Sequence, residues 1–339
     1  MQWVSAMFSR TDAEALRKQL TPIDLYGPQT DQTAALTAYR RHYGIDADSL
    51  GCHHSHSIGK FPSGDYMLTA QHFQLPEAEA GTAFLLHGYY DHAGLYGHLI
   101  CQCLAMGYSV VIMDLPGHGL SSGKPASIGS FEEYSEALEN VLELAAKLPR
   151  PWLGIGQSTG CAVIMDSLLN RKLDERFGLA HYVLLCPLLY PVGWSLIRYV
   201  FYLTRSILPE IKRSFARNSH DDGFLRFLRE HDCLQARTLP TDWIAAMADY
   251  QQRFAEAAQS EVPVQIIQGT DDGTVDWRKN LPLIREKFPA GRSHLLDDAK
   301  HHLVNESAIF QELLFAWLAE TISSEPTRVA PSARSDGFV

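Results

Sequence analysis

Trp152-Leu153-Gly154-Ile155-Gly156-Gln157-Ser158-Thr159-Gly160 decides how the rest of the chain is read. Residues 152–155 have strand character, a Gly-x-Ser-x-Gly pentad follows, and residues 159–169 carry apolar side chains at helical spacing. A serine on so tight a strand-to-helix turn takes a strained backbone. Its neighbours two positions away on either side then approach each other and must be small. The turn lifts the hydroxyl above the sheet, at a helix N-terminus that favours developing negative charge. A glycine-rich turn with a merely capping serine is the plainer alternative. A strand before and a helix after favour a nucleophile, Ser158, supported by Gly156 and Gly160.

Outward from this pentad, short apolar runs alternate with helical stretches. Strands are expected over 82–86, 109–113, 152–155 and 182–186, with helices over 95–106, 131–148 and 159–169 between them. Such alternation predicts parallel βαβ units with helices on both sheet faces, an α/β class. It stops at Pro187: residues 187–259 read as helical without a strand, and the pattern resumes with strands over 262–268 and 294–296 and helices over 276–288 and 307–322. Upstream, 52–60 and 66–74 flank the turn cluster Pro62-Ser63-Gly64-Asp65, which predicts a β-hairpin. The expected organisation is a polar helical extension over 1–50, a core over 51–186 and 260–322, a helical cap over 187–259, and a disordered tail over 323–339.

A serine hydroxyl is a weak nucleophile without a base. His301 and His302 follow the last expected strand, and Asp271 and Asp272 follow the strand before it, in Gly269-Thr270-Asp271-Asp272-Gly273. Loops at the C-terminal edge of an open α/β sheet are where ligands bind. Serine, acid and histidine arrive in the chain order of the nucleophile-elbow hydrolases, with either member of each pair eligible on spacing alone. His87-Gly88-Tyr89-Tyr90 follows the strand over 82–86; there the amides of Tyr89 and Thr159 are the natural oxyanion donors, with His87 and Gly88 as support. Asp114 and His118, in the next strand's loop, read as braces.

Together these stretches resemble the α/β-hydrolase family over about residues 50–322, and within it the monoacylglycerol lipase and lysophospholipase branch, the serine-aminopeptidase-like hydrolases. The resemblance selects Asp272 through Gly-x-x-Asp, and His301 through Ala299-x-His301-x-Leu303-x-x-Glu306. It implies an α/β-hydrolase fold, mostly parallel, with a helical cap over 187–259. Asp91 stands where the branch usually has Glu, Ala93 where it has Ser, and Leu95 where it has a basic residue. These departures weaken any transfer of substrate specificity and leave the chemistry filled.

The cap's first half is apolar almost all round, with Trp194, Tyr199 and Tyr202 as expected pocket residues beside Tyr90. It reads either as a helix buried against the core or as an acyl pocket with a face that meets a membrane or micelle. The chain has 29 basic and 39 acidic side chains among 339 residues, a net charge of −10 that argues against a nucleic-acid footprint. Six scattered cysteines form neither a disulfide scaffold nor a zinc pair, which fits reduced thiols and a cytoplasmic location. Cys52-His53-His54-x-His56 reads as surface histidines on a strand rather than a metal site. No signal peptide or membrane span is expected.

The sequence therefore predicts a serine hydrolase of monoacylglycerols, lysophospholipids or similar acyl esters, needing no metal or organic cofactor. The rivals are another scissile bond on the same triad (thioester, amide or carbon–carbon), acyl transfer, or a non-catalytic receptor on the same fold.

Overall fold

The apolar runs build one twisted sheet. The computed structural model describes residues 8–27, 33–204 and 209–324. Its strands are β1 Ser55–Ser63, β2 Tyr66–Gln74, β3 Gly81–Leu86, β4 Tyr108–Asp114, β5 Trp152–Gln157, β6 His181–Leu185, β7 Glu210–Lys212, β8 Thr238–Pro240, β9 Gln265–Gly269 and β10 Arg292–Leu296. Eight of them form the main sheet in the order β1-β2-β4-β3-β5-β6-β9-β10. The β1–β2 hairpin closes with Ser63 opposite Tyr66, and β2 pairs antiparallel with β4. From β4 through β3, β5, β6 and β9 to β10 all neighbours run parallel.

Period-two alternation divides the core. Phe84 and Leu86 of β3 point to one face, where Val111, Met113 and Trp152 meet the helices Phe131–Leu144, Thr159–Asn170 and Thr241–Glu256. Ala83 and Leu85 point to the other, with Val110, Ile112, Leu153 and Ile155, under the helices Gly97–Ala105 and Ala308–Ser324. Both faces are covered, so the central strands are buried along their whole length.

Four sequence expectations change. The N-terminal extension is not a polar appendage: Phe8, Leu16, Leu36, Tyr39 and Tyr43 are buried in the second core cluster. Leu36, Tyr39 and Tyr43 recur at helical spacing on the helix Ala34–Tyr43, a narrow stripe that overall polarity hides. The strand expected from 262 begins at Gln265, because Pro263 brings no N–H to a ladder. The cap is not wholly helical: between the helices Trp194–Thr204, Asp222–Glu230 and Thr241–Glu256, β7 and β8 pair as an antiparallel ribbon. Strands of three residues are too short to show an alternation in sequence. The expected tail begins inside the helix Ala308–Ser324, and from 325 on lies outside the described residues. No described helix is long and apolar enough to cross a membrane.

Candidate active site

Ser158 sits between β5 and the helix Thr159–Asn170 at φ 53, ψ −107, a conformation non-glycine residues rarely hold and one that marks functional turns. Its N–H donates to the Leu185 carbonyl (2.9 Å) and its own carbonyl accepts from Cys161 N (3.0 Å). The flanking glycines are required by space. A Cβ on Gly160 would stand 2.2 Å from the Leu86 carbonyl oxygen, and one on Gly156 would stand 2.5 Å from the Gly160 carbonyl carbon. The strained turn is therefore held by backbone wedged against β3.

The loops after β9 and β10 bring up the other two groups. His301 Nδ1 lies 2.7 Å from Asp272 Oδ2. Asp272 also accepts from Gln268 Nε2 (2.9 Å) and from the amides of Thr274 (2.8 Å) and Val275 (3.1 Å). Burial acts to raise the Asp272 carboxyl, but the His301 imidazole beside it and these hydrogen bonds outweigh it and hold it below its ordinary value. An ionised Asp272 keeps the ring proton on Nδ1 and leaves Nε2 as the basic nitrogen. Gln157 Nε2 donates to the His301 carbonyl (2.9 Å), tying the histidine loop to the elbow.

The neighbours of each pair are occupied differently. Asp271 is exposed and paired with Lys300. His302 Nε2 lies 3.0 Å from Asp91 Oδ2, which also accepts from the Tyr96 hydroxyl (3.1 Å). Burial acts to raise the Asp91 carboxyl; His302 and Tyr96 reverse that and hold it far below the usual range. Asp91, which the sequence marked only as a departure from glutamate, is thus the partner of the second histidine.

Ser158 and His301 open on one cavity of about 230 Å³, shared with Gly88, Tyr89, Tyr90 and Arg213. Ser158 is only 6 % exposed, so its hydroxyl is reached through this cavity. Thr159 is the first residue of its helix, so its amide has no intrahelical acceptor; among the described residues neither it nor the Tyr89 amide donates a hydrogen bond.

His87 and His118 stay in the supporting layer. Leu115 N donates to His87 Nε2 (2.9 Å), so the ring proton sits on Nδ1 and donates to the Gly88 carbonyl (2.8 Å). Burial, then the nearby His118, pulls His87 down to about 3, and burial pulls His118 down to about 4. Both are neutral at physiological pH. Asp114 accepts from Ala93 N and Leu120 N, each at 2.7 Å, joining the loops after β3 and β4. Burial raises its carboxyl above the ordinary value.

Three of the four expected pocket residues lie elsewhere. Tyr90 lines the Ser158 cavity, whereas Trp194, Tyr199 and Tyr202 do not. Trp194 is buried in the core beneath its helix, and Tyr199 and Tyr202 face solvent, 63 % and 54 % exposed. Helical periodicity says which residues share a face, not whether that face turns toward the site. Gln157, Gln268, Asp91 and Arg213 received no role from the sequence: Gln157, Asp91 and Arg213 because their partners lie far along the chain, and Gln268 because nothing in sequence marks a strand-end glutamine as the donor to Asp272 four residues on. His54 and His56, expected on the surface of the strand, are instead buried: His54 Nδ1 lies 3.0 Å from the Cys52 carbonyl, and His56 Nε2 lies 3.0 Å from Gln71 Oε1.

Residues 77–308 match the family model described as serine aminopeptidase, S33. The chain is 34% identical over 88 residues to a monoacylglycerol lipase of Mycolicibacterium smegmatis, covering 25% of this chain and 31% of that protein. It is 32% identical over 88 residues to phospholipase YtpA of Bacillus subtilis, covering 26% and 34%. The matched stretch thus spans about a third of each curated relative. A soluble variant of monoglyceride lipase from Saccharomyces cerevisiae, solved with a substrate analog, superposes with a TM-score of 0.68 at 16% identity, covering 81% of this chain and 97% of that one. A family model matched over most of the chain, on a sheet of this order, means that the protein belongs to the serine aminopeptidase S33 family of α/β-hydrolases.

Proposed function

We propose that the protein hydrolyses carboxylic esters of lipid type through an acyl-enzyme on Ser158. The observation that carries this is the strained serine at φ 53, sharing one cavity with a histidine whose Nδ1 is 2.7 Å from a buried carboxylate. Ser158 Oγ attacks the ester carbonyl while His301 Nε2 takes its proton, and the carbonyl oxygen becomes an oxyanion between the Tyr89 and Thr159 amides. The intermediate collapses, His301 returns the proton to the leaving alcohol, and the acyl group remains on Ser158. Water, deprotonated by His301, then releases the acid. Asp272 holds the ring and stabilises its imidazolium form.

The lipid part of the reading rests on the likeness to lipases and on the cap. On the helix Trp194–Thr204, Trp194 and Phe201 are buried, yet Leu196, Tyr199, Val200 and Leu203, at helical spacing on another face, are exposed. An apolar face turned to water supports contact with a membrane or micelle that delivers substrate.

The test is initial rates on p-nitrophenyl esters from acetyl to palmitoyl, wild type beside Ser158→Ala. Serine-dependent turnover that peaks at medium or long chains is expected. A short-chain optimum would keep the esterase and remove the lipid reading; turnover retained in pure Ser158→Ala would remove the nucleophile.

A further inference from the structure

Among the described residues, Arg213 is the arginine lining the Ser158 cavity that has no carboxylate at ion-pair distance. Arg217 and Arg229 also line the cavity, but each faces a carboxylate, Asp222 at 3.0 Å and Glu230 at 3.2 Å. Among the described residues Arg213 has no carboxylate within ion-pair distance. The nearby acids Asp91 and Asp232 are engaged with His302 and His92.

The guanidinium is nevertheless fixed in place. Its backbone N–H donates to the Arg237 carbonyl (3.0 Å), extending the β7–β8 ribbon. Its central carbon lies 3.8 Å from the ring centre of Tyr90 and 4.4 Å from that of Phe215. Nη1 donates to Gln235 Oε1 and to the Ala236 carbonyl (3.2 Å). Buried Gln235 in turn donates through Nε2 to the Tyr90 carbonyl (2.9 Å), beside the oxyanion residue Tyr89. Nε and Nη2 donate no hydrogen bond among the described residues.

A half-buried charge held by two rings and a buried amide, with two donors unspent, is organised for a ligand. Those two donors lie on one edge of a planar fork, the edge that receives two oxygens of a phosphate or carboxylate.

We propose that Arg213 recognises an anionic group within the substrate, so that the preferred esters of Ser158 carry a phosphate or carboxylate beside the scissile bond rather than a neutral glycerol alone. The proposal rests on the esterase reading and sharpens its substrate class. Of the two lipid types in that reading, it favours acyl esters of phosphorylated alcohols over neutral monoacylglycerols. Stacked and half-shielded from water, the Arg213 charge retains more of its strength than a surface arginine would.

The experiment compares 1-hexanoyl-glycerol with 1-hexanoyl-glycerol 3-phosphate, as kcat/KM for wild type, Arg213→Gln and Arg213→Lys. Because each variant is judged by its ratio between the two esters, loss of folded protein cancels. Wild type is expected to favour the phosphorylated ester. Arg213→Gln should lower the ratio about 10- to 100-fold, chiefly through KM, as loss of charged hydrogen bonds would, and Arg213→Lys should restore part of it. An unchanged ratio in Arg213→Gln, or a wild-type preference for the neutral ester, overturns the proposal. Inorganic phosphate is the competing ligand: inhibition of neutral-ester turnover at concentrations as low as the KM of the phosphorylated ester would assign Arg213 to the free ion instead. Calorimetric binding of the phosphorylated ester to Ser158→Ala, with and without Arg213→Gln, reads the anion contact apart from the chemistry. Absence of Ser158-dependent turnover on both esters would sink the esterase reading while leaving that binding difference to decide Arg213.

Discussion

The sheet scaffold and the cap solve different problems with different materials. Around the elbow the geometry is made by backbone. Gly160 packs against the Leu86 carbonyl, Ser158 is held by the Leu185 carbonyl, and Asp272 is held by amides of its own loop. In the cap the geometry is made by side chains, with Arg213 set between Tyr90 and Phe215 and the ribbon only three residues long on each side. Backbone wedging tolerates almost no substitution, which suits atoms that must meet within tenths of an ångström. Side-chain contacts can be changed one at a time, which suits the choice of substrate. The two regions are joined at a buried point: Asp232 of the cap lies 3.1 Å from His92 of the loop after β3 and accepts from Tyr43 of the N-terminal extension at 2.8 Å.

The largest expected effect breaks the scaffold's chemistry. His301→Ala should lower kcat about 10⁶-fold, and Asp272→Asn about 10⁴-fold by misplacing the ring proton. His302→Ala and Asp271→Asn should cost far less, since His302 faces Asp91 and Asp271 faces Lys300. Steady-state kinetics of the four variants decides; equal losses within either pair would unseat that assignment.

The next effect breaks the joint. Both His92 and Asp232 are fully buried. Burial alone would lower the His92 ring, but Asp232 and other carboxylates raise it; burial acts to raise Asp232, and His92 and Tyr43 lower it. Asp232→Ala strands a buried charge and a buried phenol, so urea denaturation should read a loss of about 3–5 kcal/mol. A loss no larger than that of an exposed substitution would show that the cap docks independently.

Acid should then weaken the scaffold rather than the cap. His87 and His118 are held neutral at about 3 and about 4, below the ordinary 6.5. Below pH 6.5 the unfolded chain therefore binds more protons, and stability falls as pH drops, by about 1.4 kcal/mol per pH unit for each ring. The contribution of His118 ends near pH 4 and that of His87 near pH 3. His92, raised, acts the opposite way, but its window lies above 6.5. Denaturation midpoints from pH 7 to pH 4 should decline steadily; a flat profile would mean that the rings are already protonated in the fold.

The smallest expected effect belongs to the cap's outer face. Leu196 and Leu203 are 67 % and 64 % exposed, so Leu196→Ser with Leu203→Ser should shift stability by no more than about 0.5 kcal/mol per site. Flotation with phosphatidylcholine vesicles should nevertheless fall in the double variant. Equal flotation would remove this face from membrane binding.

Much of this comparison was legible in the sequence, and unevenly so. The parallel sheet showed because strands buried on both faces are continuous apolar runs, and the elbow showed because a strained turn demands small residues at fixed spacing. The choice between Asp271 and Asp272, and between His301 and His302, came from family resemblance, because neighbours in a loop carry the same chemistry and differ only in where the backbone points them. The orientation of the Trp194–Thr204 helix was not legible at all: an apolar residue looks the same in sequence whether it faces core or water.

By itself, then, the sequence determined the scaffold and the kinds of residue the chemistry uses, since both depend on local periodicity and on steric limits at single positions. Tertiary structure alone decided that His302 faces Asp91 and that the arginine at 213 enters the Ser158 cavity with donors unspent among the described residues. Those outcomes depend on contacts between residues tens to more than a hundred positions apart, and such contacts form only when the chain has closed on itself.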